Sequence, residues 1–363
     1  MRDLSPNKFS LQTKKSTLKV PSFIFGVDTN TIDIIEKVKA KSYLIDEIAI
    51  EVASGISTGG DKIFRVNDNV INECNLEADI LHDVLVGREI NKYEINPTNH
   101  KVIYTARDTK IDEFPNIKNY LVPFKEKLET RSEVEMGILP WYALGRQRYK
   151  ELFTEPKIIL RQTADSVIAT FDNNGFFVLN SILVFKIDTK FDVSYKFTLA
   201  MLNSKLTTFI YRNLTQEEGR GFAEVKPKNI RKLFIPKTDR NTQRIFETLV
   251  DYIILLKQQE FNQNDDLKFA KDRLMVSFFE RLIDCMVYEL YFADELHKEN
   301  KYFIEPLQKE SLTDVQNMGN KLEEIRAIFE KLNDKNHTIK KNMYFIDSVE
   351  VVRIIEGKEN ENN

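Results

Sequence analysis

At Pro236 the hydrophobic pattern of this chain changes period, and that change limits its fold more than any other feature. Beyond it, "TQRIFETLVDYIILLKQQ" and "LKFAKDRLMVSFFERLIDCMVYELYF" repeat apolar residues at helical spacing, the second with Leu274, Phe278, Leu282, Met286 and Leu290 at intervals of four. The polar "EFNQNDD" between them suits an antiparallel helical hairpin. A third helix is expected over "KLEEIRAIFEKL", and the end "GKENENN" is expected to fray. Before Pro236 the apolar runs are short. "KIILRQ" precedes "SVIATFDNNGFFVLNSILVFKI", where Asn174-Gly175 between β-rich segments predicts a hairpin. Helical spacing returns in "DTNTIDIIEKVKAKS", capped by Asp28 or Asn30 with Ile32, Ile34, Ile35 and Val38 on its apolar side, and in "YKFTLAMLNSKLTTFIYRNL". The expected class is α+β, a mixed, mainly β region followed by an α-helical hairpin or bundle.

At 363 residues, with 42% apolar and 30% charged residues, the chain has the make-up of a globular protein large enough for two domains. No stretch reaches the apolar length of a membrane span and no apolar run follows the N-terminal charges, so a cytoplasmic location is expected. Cys74 and Cys285 lie far apart, and His82, His100, His297 and His337 never approach ligand spacing, which argues against a structural zinc. The net charge of −3 hides an asymmetry. Residues 141–240 carry 17 Lys/Arg against 10 Asp/Glu, whereas residues 241–363 carry 17 against 24. A basic middle suggests a polyanionic partner.

Catalytic signatures are sparse. The loop "SGISTGGDKIF" has the glycines of a phosphate cradle, but Asp61 separates Gly60 from Lys62 and Ile63 offers no oxygen to a metal. No adjacent prolines form the loop with which amino-methyltransferases hold a flipped base. Gly219-Arg220-Gly221 follows a predicted helix, not the strand-to-helix turn of a cofactor fingerprint. Glu155-Pro156-Lys157 spells the Glu-x-Lys of a nuclease, yet Asp108-Thr109-Lys110 and Asp188-Thr189-Lys190 show how cheap that spelling is in so charged a chain.

Taken in order, "SGISTGGDKIF", "LVGREINKY", "PWYALGRQRYKELFTEPKIILRQ", "NNGFFVLNSILVFKI", "LAMLNSKLTTFIYR", "EGRGFAEVKPKNIRKLFIP" and "LIDCMVYELYF" resemble the TaqI-like target-recognition domain. That domain follows the catalytic domain in type IIG restriction enzymes and related N6-adenine methyltransferases. The resemblance spans about residues 30 to 300 and puts the glycine loop at the start of the recognition domain. It implies an N-terminal arm and short helix (1–45), a DNA target-recognition domain (46–240), a helical hairpin for docking or spacing (241–300) and a C-terminal helix with its tail (301–363).

The resemblance also implies duplex DNA as the partner, met by Thr58 and Lys62 of the glycine loop, Arg88 and Lys92 of "GREINKY", Arg146 and Arg148 after Trp141 and Tyr142, Lys157 and Arg161 around "KIILRQ", and Arg220 and Lys226 before "FIP". Trp141 is expected to serve the core and not to stack on a base. The family's catalytic half is missing, so the chain is expected to be a non-catalytic specificity subunit that binds no cofactor. Its partner would be an N6-adenine methyltransferase using S-adenosylmethionine, with or without a nuclease. The helical hairpin would dock on that subunit or on a second copy. Two alternatives share the resemblance: a C-terminal fragment of a type IIG enzyme, and a remnant interaction protein whose DNA specificity has decayed.

Overall fold

The computed structural model describes residues 29–162, 166–215, 225–260 and 266–358. Its centre is a four-stranded antiparallel sheet built from β1 (Ala49–Ser54), β5 (Lys157–Arg161), β6 (Ala169–Asp172) and β8 (Ile182–Ile187), in the order β1-β8-β5-β6. A second sheet holds β2 (Arg65–Asn67), β3 (Leu81–Leu85), β4 (His100–Ile103) and β7 (Phe177–Val178), in the order β7-β3-β4-β2, with β7 parallel to β3 and the other pairs antiparallel.

Side chains alternate across a strand, and the central sheet uses both of its faces. Ile158, Leu160, Leu183 and Phe185 join a core shared with the helices, whereas Ile159, Ile182 and Val184 join a second core with Val66, Leu85, Ile103 and Phe177. This explains why "ILVF", Ile182–Phe185, reads as an unbroken apolar run: a strand covered on both faces needs no polar side. Full burial of each such side chain contributes about 1.5–3 kcal/mol.

The Asn174-Gly175 turn departs from the expected hairpin. Gly175 does take a positive φ of 78°, but β6 enters the turn from the first sheet and β7 leaves it in the second. The turn is a crossing between sheets, closed by Asp172, whose carboxylate accepts the N–H groups of Asn174 (2.8 Å) and Phe176 (3.1 Å).

The helical layer follows the sequence pattern more closely. Helix Thr29–Ala40 buries Ile34, Ile35 and Val38, and the chain then pairs Ser42–Leu44 antiparallel with Phe234–Pro236. "YKFTLAMLNSKLTTFIYRNL" forms two helices, Tyr195–Asn203 and Lys205–Thr215, separated at Ser204. The helices Arg240–Glu260 and Asp266–Lys298 pack against each other, the second bent at Phe292. Its stripe is wider than intervals of four suggest. Leu274 is 65% exposed, while Met275, Phe279, Ile283 and Val287 are buried beside Leu282 and Met286, because further helices cover this one from other sides. Helix Lys321–Leu332 forms as its pattern predicts. The last helix, Glu350–Glu356, is tied down by Glu356, which pairs with Arg281 and accepts the Tyr288 hydroxyl at 3.0 Å. The fold is α+β, and no helix among the described residues is long and apolar enough to cross a membrane.

One half-buried ring links this packing to pH. His82, on β3, stacks on Phe177 at 4.1 Å and meets Tyr104 edge-on, with its Nε2 enclosed and without a hydrogen-bond partner. Burial, aided by Lys150 and Lys101, lowers its pKa to about 4. The unfolded chain therefore takes up a proton at this ring before the folded one does, so stability falls as pH drops from about 6.5 towards 4 and the loss levels off below that. The ring is partly exposed, which limits the effect to roughly 1–2 kcal/mol. Urea denaturation at pH 7 and pH 5 is expected to show this loss in the wild type and a smaller one in His82→Phe; equal losses in both proteins would contradict it.

Candidate functional site

The glycine loop joins the two sheets. Gly55 donates to Ile182 O (2.9 Å) and Ile56 to Val178 O (2.8 Å), which brings the end of β1 against β7. A Cβ on Gly55 would lie 2.3 Å from Val178 O and 2.5 Å from Leu179 O, so only glycine fits. Ser57 exchanges backbone hydrogen bonds with Arg146. The Thr58 hydroxyl donates to the Asp61 carboxylate and accepts the Gly60 N–H at 3.0 Å, closing the turn that starts the short helix Asp61–Phe64.

What this loop grips is an arginine. Gly59 has a φ of +71°, and the Arg131 Cδ would lie 2.8 Å from a Cβ there. The Arg131 guanidinium donates to Leu128 O (2.9 Å), Thr58 O (3.2 Å), Ala143 O (2.8 Å) and Trp141 O (2.5 Å), and lies over the Phe64 ring. One side chain thus fastens the glycine loop to the "PWYALGR" segment. Burial lowers the Arg131 pKa from its ordinary value.

Beside the loop opens a cleft of about 450 Å³, whose charged lining is Lys62, Arg65, Arg88 and Arg161 against the single carboxylate of Asp61. Three separate stretches of the sequence supply these cations. Lys62 and Arg65 come from the end of the loop and β2, Arg88 from the turn Gly87–Glu89 that follows β3, and Arg161 from the last position of β5. Gly87 permits the close approach, since its N–H donates to Ser181 Oγ at 2.9 Å and a Cβ would meet Ser181 O at 3.0 Å. Among the described residues, the side chains of Lys62, Arg88 and Arg161 make no ion pair or hydrogen bond, which leaves their charges available to a ligand. Arg65 differs, because it donates to the buried carboxylate of Glu89 (2.9 Å) and to Thr98 Oγ1 (2.7 Å).

Of the ten residues expected at DNA, Lys62, Arg88 and Arg161 are brought together here. The others are placed differently. Thr58 is buried at the base of the loop and spends its hydroxyl on Asp61 and Gly60. Lys157 is fully buried, paired with Asp172 at 2.5 Å and bonded to Phe153 O, so it cannot reach a ligand. Lys92 turns away to Asn203 O at 2.7 Å, tying the small hairpin Ile90–Asn91/Glu94–Ile95 to the helical layer. Arg146 is exposed beside Ser57, and Arg148 donates to Ser54 O at 2.9 Å; neither lines the cleft. Lys226 follows Val225, whose N–H reaches Gln162 O at 2.7 Å next to Arg161. Arg220 lies outside the described residues.

The Glu155-Pro156-Lys157 triplet does not assemble into a site: Glu155 sits at the surface on Lys186 while Lys157 points into the core. Trp141 is half-buried and packs against the second core, with Lys125 over its ring. Arg65, Glu89 and Arg131 were absent from the sequence expectations. Arg65 alone carried a signal, as a cation directly after the loop motif.

Comparison with known proteins finds a family that part of this chain resembles. Residues 82–235 match the TaqI-like C-terminal specificity domain, a stretch that includes Arg88, Arg161 and most of both sheets. A Methanocaldococcus jannaschii protein named "Putative type II restriction enzyme and methyltransferase" is 23% identical over 257 residues, which cover 66% of this chain and 19% of that protein. The chain thus spans about a fifth of the length of this relative. The solved structure of the type IIL restriction-modification enzyme MmeI in complex with DNA aligns with 88% of this chain and 34% of its own, at a TM-score of 0.41 and 10% identity. The glycine loop, Lys62 and Arg65 precede the matched residues, so half of the cleft's cations lie upstream of them. On these findings, residues 82–235 of the chain are similar to the TaqI-like C-terminal specificity domain.

Proposed function

We propose that this chain reads a sequence in duplex DNA for a restriction-modification system and is not itself the catalyst. The observation that carries this reading is the convergence of Lys62, Arg88 and Arg161, unpaired among the described residues, on one open cleft. Cations from three sequence-distant segments suit a phosphate-lined ligand better than a small metabolite. The specificity-domain match supports the same reading, as does the archaeal relative, whose name combines restriction and methylation. The catalytic steps would belong to an N6-adenine methyltransferase, carried on a partner subunit or on a longer form of the chain. It would flip the adenine and hold S-adenosylmethionine, while this domain selects the site.

Arg88→Ala and Arg161→Ala test the cleft. Each is expected to weaken duplex binding by about 1–3 kcal/mol, measured by fluorescence anisotropy. A cation that touches phosphate would lose affinity evenly across sequences and lower the salt slope by about 1, whereas one that reads a base edge would relax preference at one position. Wild-type affinity in both variants would remove the cleft from the interface. The wider role is tested in the native host, by co-purification and by mapping methylated adenines with and without the gene. An unchanged methylation pattern would refute it.

A further inference from the structure

We propose that Arg65 anchors a backbone phosphate of the bound duplex at the floor of the cleft, and that the buried Glu89 is its positioning residue; this rests on the DNA-binding reading above.

Arg65 differs from the other cleft cations in being held. Its side chain is only 12% exposed and its Nη2 is shared between Glu89 and Thr98. Glu89 in turn is enclosed, 2% exposed, and its carboxylate accepts from Val86 N (2.7 Å), Thr98 N (3.1 Å) and the Thr98 hydroxyl. A single carboxylate therefore ties β2, which carries Arg65, to the turn that carries Arg88 and to the 96–98 loop. A guanidinium fixed in this way loses little side-chain freedom when it binds, unlike the exposed Lys62 and Arg88.

The recess selects the ligand. Base edges in a duplex lie behind the sugar-phosphate backbone, so a side chain set at the floor of a cleft meets a protruding phosphate oxygen before it meets a base. Base reading then falls to the exposed side chains of the rim. The Arg65–Glu89 pair would set where the duplex rests, and so which base pairs the rim can reach.

The test uses the full chain, a labelled duplex of mixed sequence, and salt from about 50 to 200 mM. Arg65→Met is expected to lower affinity about tenfold and to reduce the salt slope by about 1. Glu89→Gln is expected to produce a similar loss, and the double variant no more than either alone, because Glu89 acts through Arg65. Combining Arg65→Met with Arg161→Ala should instead multiply the two losses. Thermal midpoints report folding, and if Arg65→Met does not fold, Arg65→Lys takes its place, keeping the salt slope while losing affinity and its coupling to Glu89. Wild-type affinity in the Arg65 variant, or losses at Glu89 and Arg65 that simply multiply, would overturn the proposal while leaving DNA binding intact. Displacement of the duplex by millimolar inorganic phosphate at constant ionic strength would also overturn it, since the recess would then be a free-phosphate site. A wild-type chain that binds no duplex would end both readings.

Discussion

Lys157→Met is expected to destabilise the fold by about 3–5 kcal/mol, measured by urea denaturation, although it removes a residue that touches no ligand. Lys157 and Asp172 are both fully buried and lie 2.5 Å apart, with Lys157 Nζ also bonded to Phe153 O. Burial lowers the Lys157 pKa and the adjacent Asp172 opposes that shift. Removing the lysine leaves a carboxylate enclosed between β5 and the sheet-crossing turn, with only the N–H groups of Asn174 and Phe176 to satisfy it. Adding Asp172→Asn should return part of the loss, because asparagine carries no charge and its Oδ1 can still accept one of those two hydrogen bonds. Glu155→Gln, at the other end of the Glu-x-Lys triplet, neutralises a carboxylate that is itself 56% exposed and leaves the buried Lys186 its bond to Glu151 O at 3.3 Å, so it should cost less than the Lys157 change. A Lys157→Met protein as stable as the wild type would mean the pair is not buried as described.

Gly55→Ala is the second large effect. The added methyl would meet Val178 O at 2.3 Å and Leu179 O at 2.5 Å, and these are backbone atoms that cannot swing aside. Moving them would break the Ile56–Val178 hydrogen bond and that from Leu179 N to Leu85 O (3.0 Å), which is the seam between the two sheets. A loss of roughly 3 kcal/mol or more is expected, with DNA binding lost alongside because the seam positions the cleft. Gly137→Ala supplies the contrast. Gly137 also has a positive φ, +69°, but nothing lies within 4 Å of its would-be Cβ, so the cost should be only the backbone strain of about 1–2 kcal/mol. Equal losses at the two positions would show that the close contact at Gly55 is not decisive.

The helical half of the fold was legible because amphipathic spacing reports burial locally. Ile34, Ile35 and Val38 are buried as their spacing predicts. The stripe on Asp266–Lys298 was underestimated for a related reason: one face can be read from its period, but a helix surrounded by others buries residues such as Met275 and Ile283 that fall off the first stripe. Asn174-Gly175 correctly marked a turn with positive φ. It could not indicate that the next strand, only two residues long, would join the other sheet beside β3. Turn residues encode local backbone chirality, while strand partners are set by packing at long range.

The cleft was legible to a similar degree. Lys62, Arg88 and Arg161 sat in recognisable motifs, whereas Lys157 carried the same letter and charge as a surface cation. Its burial depends on Asp172 arriving from the neighbouring strand. Glu89 and Arg131 were missed because their roles exist only through partners distant in sequence: Arg65 and Thr98 for the first, the carbonyls of Thr58 and Trp141 for the second.

Selection of duplexes from a randomised pool, compared between the wild type and a Lys62→Ala/Arg88→Ala/Arg161→Ala triple variant of matched thermal midpoint, probes whether this cleft reads DNA. The wild type should enrich one sequence, with affinity for it falling steeply as salt rises, and the triple variant should enrich none. Enrichment of no sequence by the wild type, or of the same sequence at the same yield by the triple variant, would contradict it.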